Sequence, residues 1–316
     1  MAEIGNDDNL QGDMIRPFQL ESANIRGRII RFSDTLNDIL TPHDYPDAVS
    51  RLLGEAVTIC SLLSSMMKYD GIFTLQISGD GPVSMIVTDM TSKGHIRGCA
   101  SYKADQIVTI LEPKDNVTPL HTIQQSDLSL LGKGYITFTV DQGLKVERYQ
   151  GIVELKGKTL LDSLEHYFIQ SEQIATSLQI AVDKIDGKWR GAGIMLQQMP
   201  KEGGTTALQN NEDEPGDEDW RRATILLQSC KAEELLSDTL NSHDILMRLF
   251  HEEGVRVFEP KAVRHQCRCS QERVQNVYDM LSDEEKCDIV KDGKIEMTCD
   301  FCSTTYQIEP DKKLNS

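Results

Sequence analysis

The sequence predicts an α+β protein in which an N-terminal domain with antiparallel sheet and packed helices precedes a helical region and a small C-terminal domain. Strand–turn–strand patterns recur along the first two hundred residues, and they do not alternate with helices as βαβ units do. An acidic stretch interrupts the chain after them, and two cysteine pairs lie within the last fifty residues. We place the three parts at residues 14–200, 201–254 and 255–310.

Apolar periodicity predicts the elements of the N-terminal part. Alternating apolar runs predict strands and hairpins over 71–90, 94–102, 133–155, 177–185 and 189–200. Apolar residues at helical spacing predict helices over 52–67 and 159–170. The helix over 52–67 is the most apolar window, but it is too short to span a bilayer and contains Glu55, so we expect it to be a buried core helix.

Charge and the N-terminal residues narrow the class of protein. The 316 residues carry a formal net charge of −17, so nucleic acid is a poor default partner. The first fourteen residues lack the basic and apolar regions of a signal peptide, and we therefore expect a cytoplasmic protein that does not bind membranes.

The second part changes composition abruptly. Residues 211–219 hold six carboxylates and no basic group, which predicts an exposed linker over 201–219. Helices are expected over 220–240 and 242–254, the second with Ser242 as its N-cap. Their apolar stripes need a surface on which to pack.

The third part combines short helices with a cysteine-bearing hairpin. Helices are predicted over 270–281 and 282–293, the second begun by a capping box of Ser282 and Glu285. A hairpin is predicted over 294–308, with Cys299 and Cys302 at its turn.

The four paired cysteines predict a zinc site. Cys267 and Cys269 form a C-x-C pair, and Cys299 and Cys302 form a C-x₂-C pair of the kind that directs two thiolates at one metal. Soft thiolate ligands select Zn²⁺ in a closed tetrahedral site, and a block this small needs a metal for stability. His265 precedes the first pair, and we interpret it as a flanking residue rather than a ligand.

The residues alone leave open whether this zinc is permanent. An ordinary zinc ribbon holds its metal only to maintain its fold. Against this, a four-thiolate centre is electron-rich and oxidisable, and each pair is close enough to form its own disulfide. A disulfide is a poor zinc ligand, so oxidation would release the metal and unfold the block.

The other chemistry-bearing residues point to no further site. Cys60 and Cys99 lie in apolar elements and are expected in the core, whereas Cys230 has no evident partner and Cys287 lies in the second helix of the last block. No nucleophile, paired carboxylate or phosphate-binding loop has a convincing context, so we assign no catalytic residue and expect no enzyme.

Seven segments carry a resemblance to a known family: LGEAVTICSLLSSMMKYDGIFTLQISGDGPVSMIVTDM, HIRGCASY, YQGIVEL, YFIQSEQIATSL, GAGIMLQQMP, CRCSQERV and CDFCSTTYQI. These segments resemble the redox-regulated bacterial chaperones of the 33 kDa chaperonin (33 kDa heat-shock protein) family. They extend from about residue 20 to residue 310, and the two cysteine pairs behind such a domain are highly specific.

The resemblance implies an ATP-independent holdase that is inactive when reduced and bound to one zinc ion. Cys267, Cys269, Cys299 and Cys302 would be the zinc ligands, and oxidation would form disulfides Cys267–Cys269 and Cys299–Cys302 and release the metal. The oxidised protein would lose order in its C-terminal region, dimerise and hold unfolding client proteins during stress. Cys287 and the acidic run 211–219 depart from the family pattern.

Two alternatives remain. A thiol–disulfide oxidoreductase would need an exposed C-x₂-C of low pKa on a thioredoxin-like βαβ frame, which the predicted hairpin does not provide. A structural zinc ribbon that binds nucleic acid would need a basic, aromatic-rich stripe, which the acidic chain lacks.

Overall fold

The computed structural model describes residues 13–111, 128–143, 148–199, 215–291 and 294–308. In chain order, the first part comprises β1 (Met14–Leu20), β2 (Ile25–Phe32), α1 (Asp34–Leu40), α2 (Asp47–Met66), β3 (Ile72–Gly79), β4 (Val83–Thr91), β5 (His95–Tyr102), α3 (Ala104–Leu111), β6 (Gly134–Asp141), β7 (Tyr149–Glu154), α4 (Leu160–Tyr167), β8 (Thr176–Ile185) and β9 (Lys188–Gln198). The second part comprises α5 (Pro215–Gln228), α6 (Ala232–Leu235), α7 (Ser242–Phe250), β10 (Val255–Val257), β11 (Lys261–Ala262), β12 (Arg264–His265), α8 (Gln271–Met280), α9 (Asp283–Ile289), β13 (Val290–Lys291), β14 (Lys294–Thr298) and β15 (Thr305–Ile308). The predicted α+β class with antiparallel sheets is confirmed.

The described residues form three sheets. The first sheet has the order β10-β1-β2-β9-β8, and β11 also pairs with β1. The second sheet has the order β12-β5-β4-β3-β6-β7, in which β12 is parallel to β5 and the other pairs are antiparallel. The third sheet, β13-β14-β15, carries the predicted cysteine hairpin.

Helix α2 packs against strands of both large sheets. It begins at Asp47, five residues before the predicted start, and its twenty residues make it long and apolar enough to cross a membrane, contrary to our expectation from the shorter window. However, 83% of its apolar window is buried within the protein, so α2 is the predicted core helix. A Cβ at Gly193 in β9 would lie 3.0 Å from side-chain atoms of Thr58 and Leu62, so glycine lets the first sheet approach α2 closely.

Strands β1 and β2 were not predicted, and their surroundings explain why. Apolar residues of these strands are buried in two separate clusters, with Ile15 and Ile30 in the cluster around α2 and Phe18 and Ile29 in the cluster beneath α5–α7. The period-two alternation of a half-buried strand is therefore interrupted where the buried apolar residues change from one face of the sheet to the other. Pro17 within β1 also argues against a strand when only the sequence is read.

Helices α5, α6 and α7, which we call the cover helices, pack on the outer face of the first sheet. Their buried apolar residues join those of the sheet in one cluster: Phe18, Leu20, Ala23, Ile25, Ile29, Ala181, Ala192, Ile194, Leu196, Ala223, Leu227, Cys230, Leu235, Leu236, Ile245, Leu246 and Phe250. The apolar stripes predicted over 220–254 are thus buried against the N-terminal part.

Polar contacts accompany the apolar packing of the cover helices. Arg31 in β2 donates hydrogen bonds to the backbone carbonyls of Leu235, Ser237 and Leu240, around the connection between α6 and α7. Arg222 in α5 donates to both carboxylate oxygens of buried Glu253, at 2.6 and 2.9 Å. These hydrogen bonds hold the cover helices in place, because they give partners to backbone carbonyls and to a buried carboxylate that lie beside the apolar cluster.

Several predicted boundaries differ from the structure: the helix predicted over 220–240 is divided into α5 and α6, and the helix predicted over 282–293 ends at Ile289. Two further differences concern the starts of cover helices. Helix α5 begins at Pro215, so the end of the predicted linker, 215–219, is helical, whereas 201–214 lie outside the described residues. Proline is favourable in the first turn of a helix, and acidic side chains are favourable near its N-terminus. The N-cap of α7 is Asn241 rather than Ser242, because the Asn241 side chain accepts a hydrogen bond from Asp244 N at 2.8 Å.

The chain leaves the cover helices through both large sheets. Strands β10 and β11 pair with β1, and β12 pairs with β5. Residues 255–265 thus lie on the N-terminal sheets before the chain reaches the cysteines. The division at 14–200, 201–254 and 255–310 stays a prediction.

Candidate metal centre

The four predicted cysteines meet at one point behind β12. Cys267 and Cys269 lie between β12 and α8, and Cys299 and Cys302 lie in the turn between β14 and β15. We call residues 267–308 the cysteine module. The side chain of Ser270 caps α8 by accepting a hydrogen bond from Arg273 N, so the C-x-C pair lies at the positive end of this helix.

The four sulfur atoms form a compact cluster. All lie within 4.8 Å of one another, with Cys267 Sγ 3.7 Å from Cys299 Sγ and Cys269 Sγ 3.4 Å from Cys302 Sγ. All four side chains are half-buried, and the cysteines are free thiols. This arrangement of soft donors could hold a metal ion.

Backbone hydrogen bonds shape the turn that presents Cys299 and Cys302. The carbonyl of Cys299 accepts hydrogen bonds from Cys302 N at 3.4 Å and from Ser303 N at 2.8 Å. Cys299 N donates to Thr304 O at 3.0 Å, and Ser303 has a left-handed φ of 54°. The backbone of the turn therefore holds the two thiols close together by itself.

The environments of the thiols separate their pKa values. Burial, assisted by the neighbouring thiols of Cys267 and Cys302, raises the pKa of Cys299 to about 12. Burial also acts to raise the pKa of Cys302, but hydrogen bonds with the side chain and backbone of Thr304 outweigh it and lower the value to about 7. Burial raises the pKa of Cys269, against a hydrogen bond that Tyr306 Oη donates to its sulfur at 3.0 Å.

The interior of the cysteine module is small. Among the described residues, its hydrophobic cluster has three buried members, Tyr278, Ile295 and Ile308, with a few half-buried neighbours. Clusters of this size contribute little free energy of folding, so modules of this kind depend on a metal or another cross-link.

Three cysteines outside the cluster, Cys60, Cys99 and Cys230, are buried. Cys60 and Cys99 are buried as predicted, and burial raises the pKa of both thiols to about 12. Cys230, for which the sequence indicated no partner, is buried beneath the cover helices, and burial raises its pKa to about 11. Cys287 lies in α9.

Several residues beside the cluster were not predicted from the sequence. Arg97 in β5 places Nη1 3.8 Å from Cys267 Sγ, and His43 contacts Phe301 and Ser303 of the module. These residues are distant along the chain from the cysteines, so no local spacing indicated them. His265 lies in β12, and the cluster contains only cysteines among the described residues.

The fold and the centre together define an α+β protein whose sheet face is covered by helices and whose C-terminal module carries four thiols able to hold a metal. A family model described as Hsp33 protein matches residues 13–309. The chain therefore belongs to the Hsp33 family and is a chaperone of that type.

Individual relatives agree with this assignment. The 33 kDa chaperonin of Caulobacter vibrioides is 34% identical to this chain, with 98% of this chain and 99% of the relative covered. That of Escherichia coli O7:K1 is 37% identical, with 94% and 92% covered. The crystal structure of the 33 kDa chaperonin from Thermotoga maritima has a TM-score of 0.73 at 22% identity and covers 96% of each chain, a similarity that concerns the fold.

Proposed function

We propose that this protein is a redox-regulated, ATP-independent holdase of the cytoplasm, inactive while it is reduced and zinc-bound. Oxidation of the cysteine module activates binding of unfolding client proteins, and the oxidised form is a homodimer. The protein is not an enzyme, and neither nucleic acid nor a membrane is its partner. The net charge of −17 supports the exclusion of nucleic acid.

The burial of an apolar sheet face beneath the cover helices carries this proposal. Phe18 and Ile194 of the first sheet are fully buried, as are Leu227 and Phe250 of the helices above them. If the helices detached, a continuous apolar surface would be exposed, and such surfaces bind other apolar chains. The covering segment leads directly through β10–β12 to the cysteine module, so the state of the module can affect the cover.

The geometry of the sulfur cluster supports zinc as the metal. Four ligands 2.3 Å from a tetrahedral zinc ion lie about 3.8 Å apart. The sulfur atoms of Cys267 and Cys299 are separated by 3.7 Å, and those of Cys269 and Cys302 by 3.4 Å. When bound, zinc would hold Cys267, Cys269, Cys299 and Cys302 as thiolates and cross-link the C-x-C segment to the hairpin.

Oxidation would remove these ligands. Formation of the Cys267–Cys269 and Cys299–Cys302 disulfides would take two electrons from each pair of zinc-bound thiolates. Two molecules of hypochlorous acid would accept the four electrons and, with two protons from solvent, become two chloride ions and two water molecules. Neutral disulfide sulfurs no longer retain zinc, and a module with the small apolar cluster described above then loses order. The pairing is the one that the family resemblance implies.

The decisive experiment measures zinc content and client aggregation before and after hypochlorous acid treatment. We expect about one zinc per reduced chain, loss of that zinc on oxidation, and suppression of light scattering only by the oxidised protein. Cys287→Ser is a control, because it removes a thiol that is not one of the four proposed ligands, and it should respond as the wild type does. Retention of zinc, or equal suppression in both redox states, would contradict the proposal.

A thiol–disulfide oxidoreductase is the second candidate, and the lowered pKa of Cys302 in a C-x₂-C pair favours it. An insulin-reduction assay separates the two functions. We expect negligible turnover, because Cys302 lies on a hairpin turn among three other thiols rather than on a thioredoxin-like frame.

A further inference from the structure

The residues enclosed by the two cysteine pairs hold the module on the second sheet. Arg268, between Cys267 and Cys269, donates hydrogen bonds from Nη1 and Nη2 to the two carboxylate oxygens of Asp89 in β4, at 2.7 and 2.8 Å. The ring of Phe301, between Cys299 and Cys302, lies 3.7 Å from the guanidinium carbon of Arg97. Each loop that presents metal-binding sulfurs thus also makes a contact with the core.

Asp89 connects these two contacts. It is 3% exposed, and Arg97 Nε donates to its Oδ2 at 3.0 Å while Arg268 binds it from the module. Two guanidinium groups therefore share one carboxylate at a largely buried junction. The next potential anion is Cys267, whose sulfur lies 3.8 Å from Arg97 Nη1.

Both loops that carry the proposed metal ligands meet this junction. Arg268, which lies between two ligands, binds Asp89, and Phe301, which lies between the other two, contacts Arg97. Loss of a metal would free the backbone on both sides of Arg268 and Phe301, because the flanking sulfurs would no longer hold it.

We propose that Asp89, Arg97 and Arg268 form an ion-pair latch that retains the cysteine module on the second sheet while the four cysteines hold a metal, and that docking and metal binding stabilise each other through it. The inference rests on the proposed metal site. It goes further by assigning the contact with the core to named residues and by requiring the coupling to be reciprocal.

The test uses the full-length, reduced, zinc-loaded protein and the variants Asp89→Asn and Arg268→Gln. Hydrogen exchange of the backbone amides of Arg264 and Gln266 reports docking, because they donate to Gly94 O and Ile96 O on β5. Competition with a chromogenic chelator reports zinc affinity. We expect both variants to exchange faster at these amides and to bind zinc about 10- to 100-fold more weakly, the range for residues beside metal ligands.

Asp183→Asn is the matched control, because Asp183 also pairs with an arginine, Arg51 at 2.7 Å, but makes no contact with the module. It should leave exchange at these two amides and zinc affinity unchanged. If Asp89→Asn fails to fold, Arg268→Gln decides the question, since Arg268 belongs to the module and not to the core.

The outcomes distinguish the latch from the proposed function. Wild-type exchange and zinc affinity in both variants would overturn the latch, as would faster exchange at unchanged zinc affinity, because the two would then be uncoupled. Absence of zinc from the reduced wild-type protein would instead contradict the proposed metal site, on which the latch rests.

Discussion

Replacement of Phe250 by alanine would remove the largest buried side chain of α7. The ring is fully buried, and its centroid lies 6.1 Å from that of Phe18 in β1 at an interplanar angle of 24°. Substitutions of this kind in a packed interior cost about 3–5 kcal/mol. If that cost falls on the docking of the cover helices, the population of the undocked form rises about 150-fold to several thousand-fold, because each 1.4 kcal/mol is a factor of ten.

The Phe250→Ala protein should therefore suppress client aggregation even while its cysteines are reduced and bound to zinc. Light scattering of an aggregating client in the presence of reductant measures this, and hydrogen exchange of the amides in α5–α7 measures undocking in the same sample. Met247→Ala is the control, since Met247 lies in the same helix but is 37% exposed. Such surface substitutions usually change stability by less than about 0.5 kcal/mol, so the control should stay inactive.

One result would refute the reasoning. If Phe250→Ala accelerates exchange throughout α5–α7 but suppresses aggregation no better than the reduced wild type, the covered sheet face is not a client-binding surface. The proposed function would then lose the observation that carries it.

Three further predictions concern the module and the cover. Removal of the metal from the reduced protein by a chelator should abolish ordered structure in the cysteine module while the N-terminal sheets remain intact. Limited trypsin digestion and circular dichroism measure this, and a module that stays protected from trypsin after metal removal would contradict the prediction. Hydrogen bonds from Arg222 lower the pKa of Glu253, so its contribution to stability is complete above the ordinary carboxyl pKa and is lost as pH falls through the lower, folded value. Urea midpoints of Glu253→Gln and wild type should thus differ at neutral pH and converge in acid, and a pH-independent difference would contradict this. Tyr306→Phe removes the hydrogen bond to Cys269 and should weaken zinc binding about 10- to 100-fold in a chelator competition. Tyr135→Phe, at an exposed position in β6, should not change it.

Local patterns predicted the elements whose residues carry their own signal. The β3–β4 hairpin and β5 were found from alternating apolar residues and an intervening turn. Helix α4 was found from its apolar face, and the structure adds a capping box of Thr159 and Asp162 at its start. In each case apolar residues recur on one side of the element at the spacing of its secondary structure.

Strands β1 and β2 escaped prediction. Pro17 interrupts β1, and the buried apolar side chains of both strands change from one face of the sheet to the other along the strand. The contacts between the cysteine module and the second sheet could not be predicted either. Asp89 and Arg268 are far apart in the chain, and nothing in the neighbouring sequence distinguishes either from an ordinary surface charge.

The sequence by itself determined the four-thiol centre and the family, because the spacing of Cys267, Cys269, Cys299 and Cys302 is local and the matching segments extend along the chain. It also indicated that 220–254 needed a surface to cover. Only the tertiary structure decided that this surface is the outer face of the first sheet, and that Asp89 and Arg97 receive the module. These contacts depend on complementary shape and charge between segments that are distant in the chain. Such complementarity produces no periodic pattern in the sequence of either segment.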